Sequence, residues 1–143
     1  MEKITAERSI WIDAPRERVW RAITDPAQIQ QWFSPGTPWA LTGLEVGGKL
    51  YAVGYESQTG VIQVIDTLRQ FTYRWDFPTP GTPIALTTTY TLEDENGGTR
   101  VTITETGVGS LPEDVQNGKG WQMALENLKA WLEGSALPFP EGL

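Results

Sequence analysis

Residues 10–33, IWIDAPRERVWRAITDPAQIQQWF, decide the fold. They read as the end of a strand, a sharp stop, and two short helices in immediate succession. The strand covers residues 4–13. Ile4, Ala6, Ile10 and Ile12 share one face at a period of two, and Thr5, Glu7, Ser9 and Asp13 share the other. Arg8 interrupts the apolar face and Trp11 the polar one. Asp13-Ala14-Pro15 then stops the strand and opens a helix. Over residues 15–23, Val19, Trp20 and Ile23 fall at helical spacing. Asp25 is placed to cap the next helix, Pro26 suits its first turn, and Gln28 completes a capping box. Ile29, Trp32 and Phe33 form its apolar stripe, and Ser34-Pro35-Gly36 ends it.

Strand follows strand from residue 41 to 107. Short strands are expected at Leu41–Glu45 and Leu50–Tyr55, separated by the Gly47-Gly48 turn, then at Val61–Leu68. Phe71, Tyr73, Trp75 and Phe77 alternate with Thr72, Arg74 and Asp76, the cleanest two-residue period in the chain. After a Pro-rich loop at 78–83, Ile84, Leu86, Tyr90 and Leu92 share a face. Asn96-Gly97-Gly98 is a hairpin turn. Val101, Ile103 and Glu105 then lie opposite Thr102, Thr104 and Thr106. The chain ends in a helix: Ser110 and Glu113 form a capping box, and Trp121, Ala124, Leu125, Leu128, Trp131 and Leu132 make a stripe. A helix over residues 112–133 would be about 33 Å long, enough to cross a twisted sheet. Gly118 and Gly120 weaken its first turns, so a late start or a bend is expected there. Residues 136–143 read as an extended tail. The segments PGTPWALT (35–42) and PGTPIALT (80–87) nearly repeat, and read as two loops that enter strands in the same way.

The chain of 143 residues has 11 basic and 18 acidic residues, a net charge of −7, and neither Cys nor His. Its length suits a single domain over 1–143. Without Cys or His there is no cysteine nucleophile, no Ser-His-Asp triad and no zinc finger. The acidic balance argues against a nucleic-acid partner. No segment is long and apolar enough for a membrane span, and the N-terminus lacks a signal-peptide pattern, so a cytoplasmic protein is expected. No metal or cofactor is expected.

The order of strand, two short helices, about six strands and a long C-terminal helix resembles the helix-grip fold of the START-like (SRPBCC, Bet v type) superfamily. The motifs Ile12–Pro26, Gln31-Trp32-Phe33-Ser34-Pro35, Gly47-Gly48, Thr104–Gly107 and Gly120-Trp121 are similar to those of the branch related to activators of the heat-shock-protein-90 ATPase. The resemblance implies an α+β domain: a curved antiparallel sheet of about seven strands wrapped around the C-terminal helix, with a cavity between them. It does not imply one activity.

Strand parity supplies the lining of such a cavity. Tyr73, Trp75 and Phe77 share a face, Leu86, Thr88 and Tyr90 follow on the next strand, then Ile103 and Glu105, with Trp121 facing them from the helix. Trp32, Phe33 and Trp39 close the far side. Arg8 and Glu105 are the charged residues expected inside, and Tyr51, Tyr55 and Tyr90 are further hydroxyl donors. Large aromatics fill a core as readily as they line a pocket, and both readings stand at this level. Three functions are compatible. The first is a module, monomeric or homodimeric, that binds a small apolar or aromatic molecule. The second is a cyclase, dehydratase or hydrolase using Glu105 with a Tyr or Arg8. The third is a chaperone-regulating interaction domain. A single domain without His favours binding.

Overall fold

The computed structural model describes residues 3–77, 84–108 and 118–141. Strand β1 (Lys3–Ile12) leads into α1 (Arg16–Thr24) and α2 (Pro26–Trp32). Six strands follow: β2 (Trp39–Leu41), β3 (Lys49–Ala52), β4 (Gly60–Asp66), β5 (Gln70–Phe77), β6 (Ile84–Glu95) and β7 (Gly98–Val108). Helix α3 (Lys119–Glu133) is the last described helix. All seven strands form one antiparallel sheet in the order β1-β7-β6-β5-β4-β3-β2. The fold is the α+β helix grip that the element order implies.

Local chemistry explains each junction. The Asp25 carboxylate accepts from the Ala27 amide at 3.0 Å, with Pro26 beside it, so α2 starts one residue after α1 stops. β6 runs on to Glu95 because the hairpin is tight. Glu95 pairs with Gly98, and the two residues between, Asn96 and Gly97, have φ of 47° and 81°. The strand expected at Leu41–Glu45 instead occupies Trp39–Leu41, because Thr42 closes it off: its hydroxyl accepts from the Lys49 amide at 2.9 Å and its own amide donates back at 3.0 Å. β3 likewise ends at Ala52, and the Tyr55 amide bonds the Ala52 carbonyl to form a turn.

The late start expected at Gly118 and Gly120 is what the structure has. Gly118 has φ +70°, a left-handed conformation outside any α-helix, so α3 begins after it. Residues 109–117, with the whole of the Ser110–Glu113 box, lie outside the described residues, as does the second PGTP at 80–83. Gly118 is also tightly packed: an added Cβ would stand 2.8 Å from the Ala6 Cβ.

The core lies between the sheet and the helices. Ala124, Leu125, Leu128 and Leu132 of α3 are buried against Ile12, Leu92 and Val101 and against Val19, Trp20 and Ile23 of α1. Trp20 meets Phe71 edge to face. Asn127, fully buried, is the exception on α3. Its amide donates to the Trp32 and Phe139 carbonyls and its oxygen accepts from the Phe139 amide, so a side chain stands in for a strand partner and ties down the tail. Trp11, on the polar face of β1, is also accounted for. Its indole N–H donates to the Glu95 carbonyl at 2.7 Å, and the Lys129 ammonium stands 5.1 Å above its ring while bonding its carbonyl.

The sheet is up-and-down, so its two ends differ. The β2–β3, β4–β5 and β6–β7 turns lie at one end, together with the finish of β1 and the C-terminus of α3, where Glu133 accepts from the Asp13 amide at 2.9 Å. The start of β2, the β3–β4 turn and the start of α3 lie at the other. Gly118→Ala tests that second end. It is expected to lose about 1–3 kcal/mol through strain at positive φ and the clash with Ala6. The measurement is urea unfolding, read as a lower midpoint at unchanged slope.

Candidate functional site

At the end where α3 begins, the sheet and helix do not close on each other. A cavity of about 260 Å³ lies between them. Three sheet strands supply one wall. On β5, Tyr73 and Trp75 point inward; on β6, Leu86 and Thr88 sit in register with Trp75 and Tyr73, followed by Tyr90; on β7, Glu105 is the partner of Thr88. Trp121 from the first turn of α3, Trp32 and Phe33 from the end of α2, and Trp39 from β2 complete the lining.

Six of these rings form a closed circuit. Centroid separations are 6.1 Å for Trp121–Phe33, 5.9 Å for Phe33–Trp39, 6.4 Å for Trp39–Trp75, 6.4 Å for Trp75–Tyr73, 6.2 Å for Tyr73–Tyr90 and 6.1 Å for Tyr90–Trp121. Most of the pairs meet edge to face or tilted, the arrangement that the ring quadrupole favours. Each ring is therefore flanked by two others. Gly60, the β4 partner of Trp75, keeps that indole in place. A Cβ there would come within 2.7 Å of the ring, so only glycine lets it lie against β4.

Glu105 is the charged residue of the lining. It is 5% exposed, and its Oε2 accepts from the Trp121 indole N–H at 2.8 Å and from the Thr88 hydroxyl at 3.4 Å. Burial pushes its carboxyl above the ordinary range, and the Trp121 and Thr88 hydrogen bonds pull against that rise. Burial also pushes the Tyr73 phenol up to about 12, and the Tyr90 phenol well above its usual 10, with Tyr73 and Glu105 adding to the latter. Both phenols thus keep their protons. The Trp39 indole N–H is buried and has no hydrogen-bond partner among the described residues. Such an orphaned donor costs free energy unless something brought to the site accepts from it.

Of the residues expected inside, Arg8, Ile103 and Phe77 are placed otherwise or not described. Arg8 is half-buried on β1 against Gly118, donates to the Glu7 carbonyl, and does not line the cavity. Ile103 is buried in the solid core beside Tyr90. The Phe77 side chain lies outside the described residues. Tyr55 is 69% exposed, and Tyr51 is not in the lining. Three lining residues escaped the parity argument: Ile23, Ile29 and Leu50. Ile23 and Ile29 lie on the same helical stripes as Trp20 and Trp32, so the signal was there, but it reads equally as core. Among the described residues, no three acidic, His or Cys side chains gather to hold a metal, and no helix is long and apolar enough to cross a membrane.

The family model described as Activator of Hsp90 ATPase homolog 1-like protein matches residues 13–133. Similar solved structures include CalU16 from Micromonospora echinospora, 30% identical, covering 92% of this chain and 76% of that one with a TM-score of 0.70. Protein CV1439 from Chromobacterium violaceum is 24% identical over 89% of this chain and 95% of its own, with a TM-score of 0.68. The Aha1 dimer from Colwellia psychrerythraea is 18% identical over 93% and 96%, with a TM-score of 0.67. No curated protein matches the sequence.

The raised Glu105 carboxyl yields a test by linkage. Its proton is held more tightly folded than unfolded, so its contribution to stability is fully present below its unfolded value, near 4.5, and is lost as pH rises through the folded value. Glu105→Gln removes this loss. The variant is expected to melt at the wild-type temperature in acid and at a higher temperature than the wild type at neutral pH, as followed by calorimetry.

Proposed function

The chain belongs to the Activator of Hsp90 ATPase homolog 1-like family, and from that premise we propose that it is a binding module, monomeric or homodimeric, that holds a small apolar or aromatic molecule between the sheet and α3. The observation that carries this reading is the closed circuit of six rings around unfilled space. A core that served stability alone would close such a space, since each methyl-sized void costs ~1 kcal/mol. The volume of about 260 Å³ sets the size class. It exceeds the ~150 Å³ engineered cavity that takes up benzene, and falls below the ~300 Å³ where pockets for drug-sized molecules begin. A ligand of one or two rings fits these bounds. The unpartnered Trp39 N–H favours a ligand that carries an acceptor oxygen or nitrogen.

Catalysis has less support. The phenols keep their protons, and Glu105 accepts from Trp121 and Thr88, donors that belong to the fold. Proton transfer needs a group within reach of substrate whose affinity for protons lies near the working pH. Among the described lining residues, Glu105 is the carboxyl that could take that role.

Calorimetric titration with 2-naphthol tests the binding module. One molecule is expected to bind per chain, with a negative heat-capacity change from apolar burial. Leu86→Trp, which adds a ring inside the cavity, is expected to weaken binding at least tenfold while far-ultraviolet circular dichroism stays unchanged. Absence of binding to the wild type, or equal binding to Leu86→Trp, defeats the proposal.

A further inference from the structure

We propose that two copies of this chain join edge to edge through β2, forming a two-fold homodimer with one continuous antiparallel sheet. The inference goes beyond the ligand reading above and does not depend on it.

The backbone of β2 carries the first observation. β2 ends the sheet order, and β3 is its neighbour among the described strands. The Val53 amide donates to the Pro38 carbonyl at 2.9 Å, and the Thr42 amide to the Lys49 carbonyl at 3.0 Å. Antiparallel ladders alternate bonded and non-bonded pairs, so Pro38, Ala40 and Thr42 bond toward β3. The N–H and C=O groups of Trp39 and Leu41 then face the other way, and no described strand lies there to take them. Such an edge is a template for another strand unless it is guarded. Pro38 is no guard, because the N–H it lacks would point at β3. The opposite edge of the sheet is blunted: β1 shifts register between Ile4 and Ala6, and Lys129 bonds the Trp11 carbonyl.

The side chains beside this edge are the second observation. The exposed large apolar side chains among the described residues are Leu44, Val46, Val53, Tyr55 and Val64, all on the segments that follow β2. Charge is sparse in the same stretch. Residues 36–64 carry only Glu45, Lys49 and Glu56, a net −1 of the chain's −7. Depletion of charge beside exposed apolar groups marks a surface that meets protein. It also suits a second copy in particular, since two chains of −7 repel least where their charge is thinnest.

Symmetry is the third. β2 has three residues, so antiparallel self-pairing places a two-fold axis at Ala40. Trp39 of one copy then exchanges two backbone bonds with Leu41 of the other, and Leu41 does the same with Trp39. All four projecting groups are satisfied at once. Ala40 meets its own copy as a non-bonded pair, the closer kind, with Cα atoms about 4.5 Å apart, where a small side chain fits. The same rotation sets the Leu44 and Val46 end of one copy beside the Val53 and Tyr55 end of the other, so the apolar groups meet in two equal contacts. Leu41 shares the inward face with Trp39, which lines the cavity. Leu41 of the second copy would therefore pack beside Trp39 and brace that wall.

Sedimentation equilibrium on the full chain tests this. At about 100 μM the wild type is expected at twice the chain mass of 15.9 kDa. Ala40→Lys keeps the backbone bonds to β3 and sets two ammonium groups opposite each other. It is expected to weaken the dimer about tenfold or more, with unchanged circular dichroism. Ala40→Cys is read separately. The chain has no other Cys, and the expected Cα separation lies within disulfide range. Mild oxidation is expected to link Ala40→Cys into a covalent dimer and to leave the control Glu17→Cys, on α1, largely unlinked. A wild type that stays monomeric overturns the proposal and leaves the edge open to a strand from another protein. A dimer that survives Ala40→Lys unweakened, or an Ala40→Cys variant that links no better than Glu17→Cys, overturns the β2 assignment. Neither result bears on the binding of 2-naphthol, which is measured on its own.

Discussion

The hydrogen bond from the Trp121 indole to the Glu105 carboxylate joins helix to sheet beside the cavity. Elsewhere α3 is held by apolar contact and by hydrogen bonds of Asn127, Lys129 and Glu133. Here contact is replaced by a polar bridge of fixed length, and the length keeps the cavity from closing. If the helix moved toward the sheet, Trp121 would be driven into Tyr90 and Phe33, which stand 6.1 Å away on either side. If it moved away, a buried carboxylate would lose its best donor. Both displacements cost free energy, so the gap is a property of the fold and not a packing fault.

The two halves of α3 divide the labour. From Ala124 onward, Ala124, Leu125, Leu128 and Leu132 enter the buried core, and Asn127 fixes α2 and the tail to the same segment. Its N-terminal turn carries Trp121 and meets Gly118 packed on Ala6. The dense half supplies the stability that an unfilled cavity forfeits. The constraint at the open half is geometric: a left-handed glycine, a bridge and six interlocked rings. This is the usual distribution between a scaffold and the site it carries.

Much of this was legible in the sequence, for a physical reason. Period-two and period-3.6 patterns report which face of an element is apolar, so the inward faces of β5 and β6, and the stripe of α3, could be read directly. The cavity-facing positions of Trp32, Phe33, Trp39, Tyr73, Trp75, Leu86, Thr88, Tyr90, Glu105 and Trp121 follow from that parity and the order of elements. What patterns do not report is pairing at a distance. Arg8 shares the inward face of β1 with Ala6, yet the neighbour it meets is Gly118, which is over a hundred positions away and sets how the chain approaches there. Asn127 reads as a polar interruption until the Phe139 backbone is seen against it. Gly60 precedes the strand expected at Val61, and no local pattern shows the Trp75 ring laid over it. Each of these depends on a contact between segments far apart in sequence, and periodicity carries no term for such contacts.

The absence of His and Cys narrows what selection by this cavity can rest on. No thiol or imidazole is present to change its proton or form a bond near neutral pH. The phenols are pushed too high to ionise there. Discrimination between molecules must then come from shape, from the ring faces, from one unpartnered indole N–H, and from the charge state of Glu105. Shape and apolar area alone discriminate weakly, by about 1–3 kcal/mol for a methylene gained or lost. A buried charge discriminates more strongly, because a ligand of the wrong sign must pay desolvation without return. On the binding reading proposed above, the carboxylate among the described lining residues would weigh more in selectivity than its area suggests.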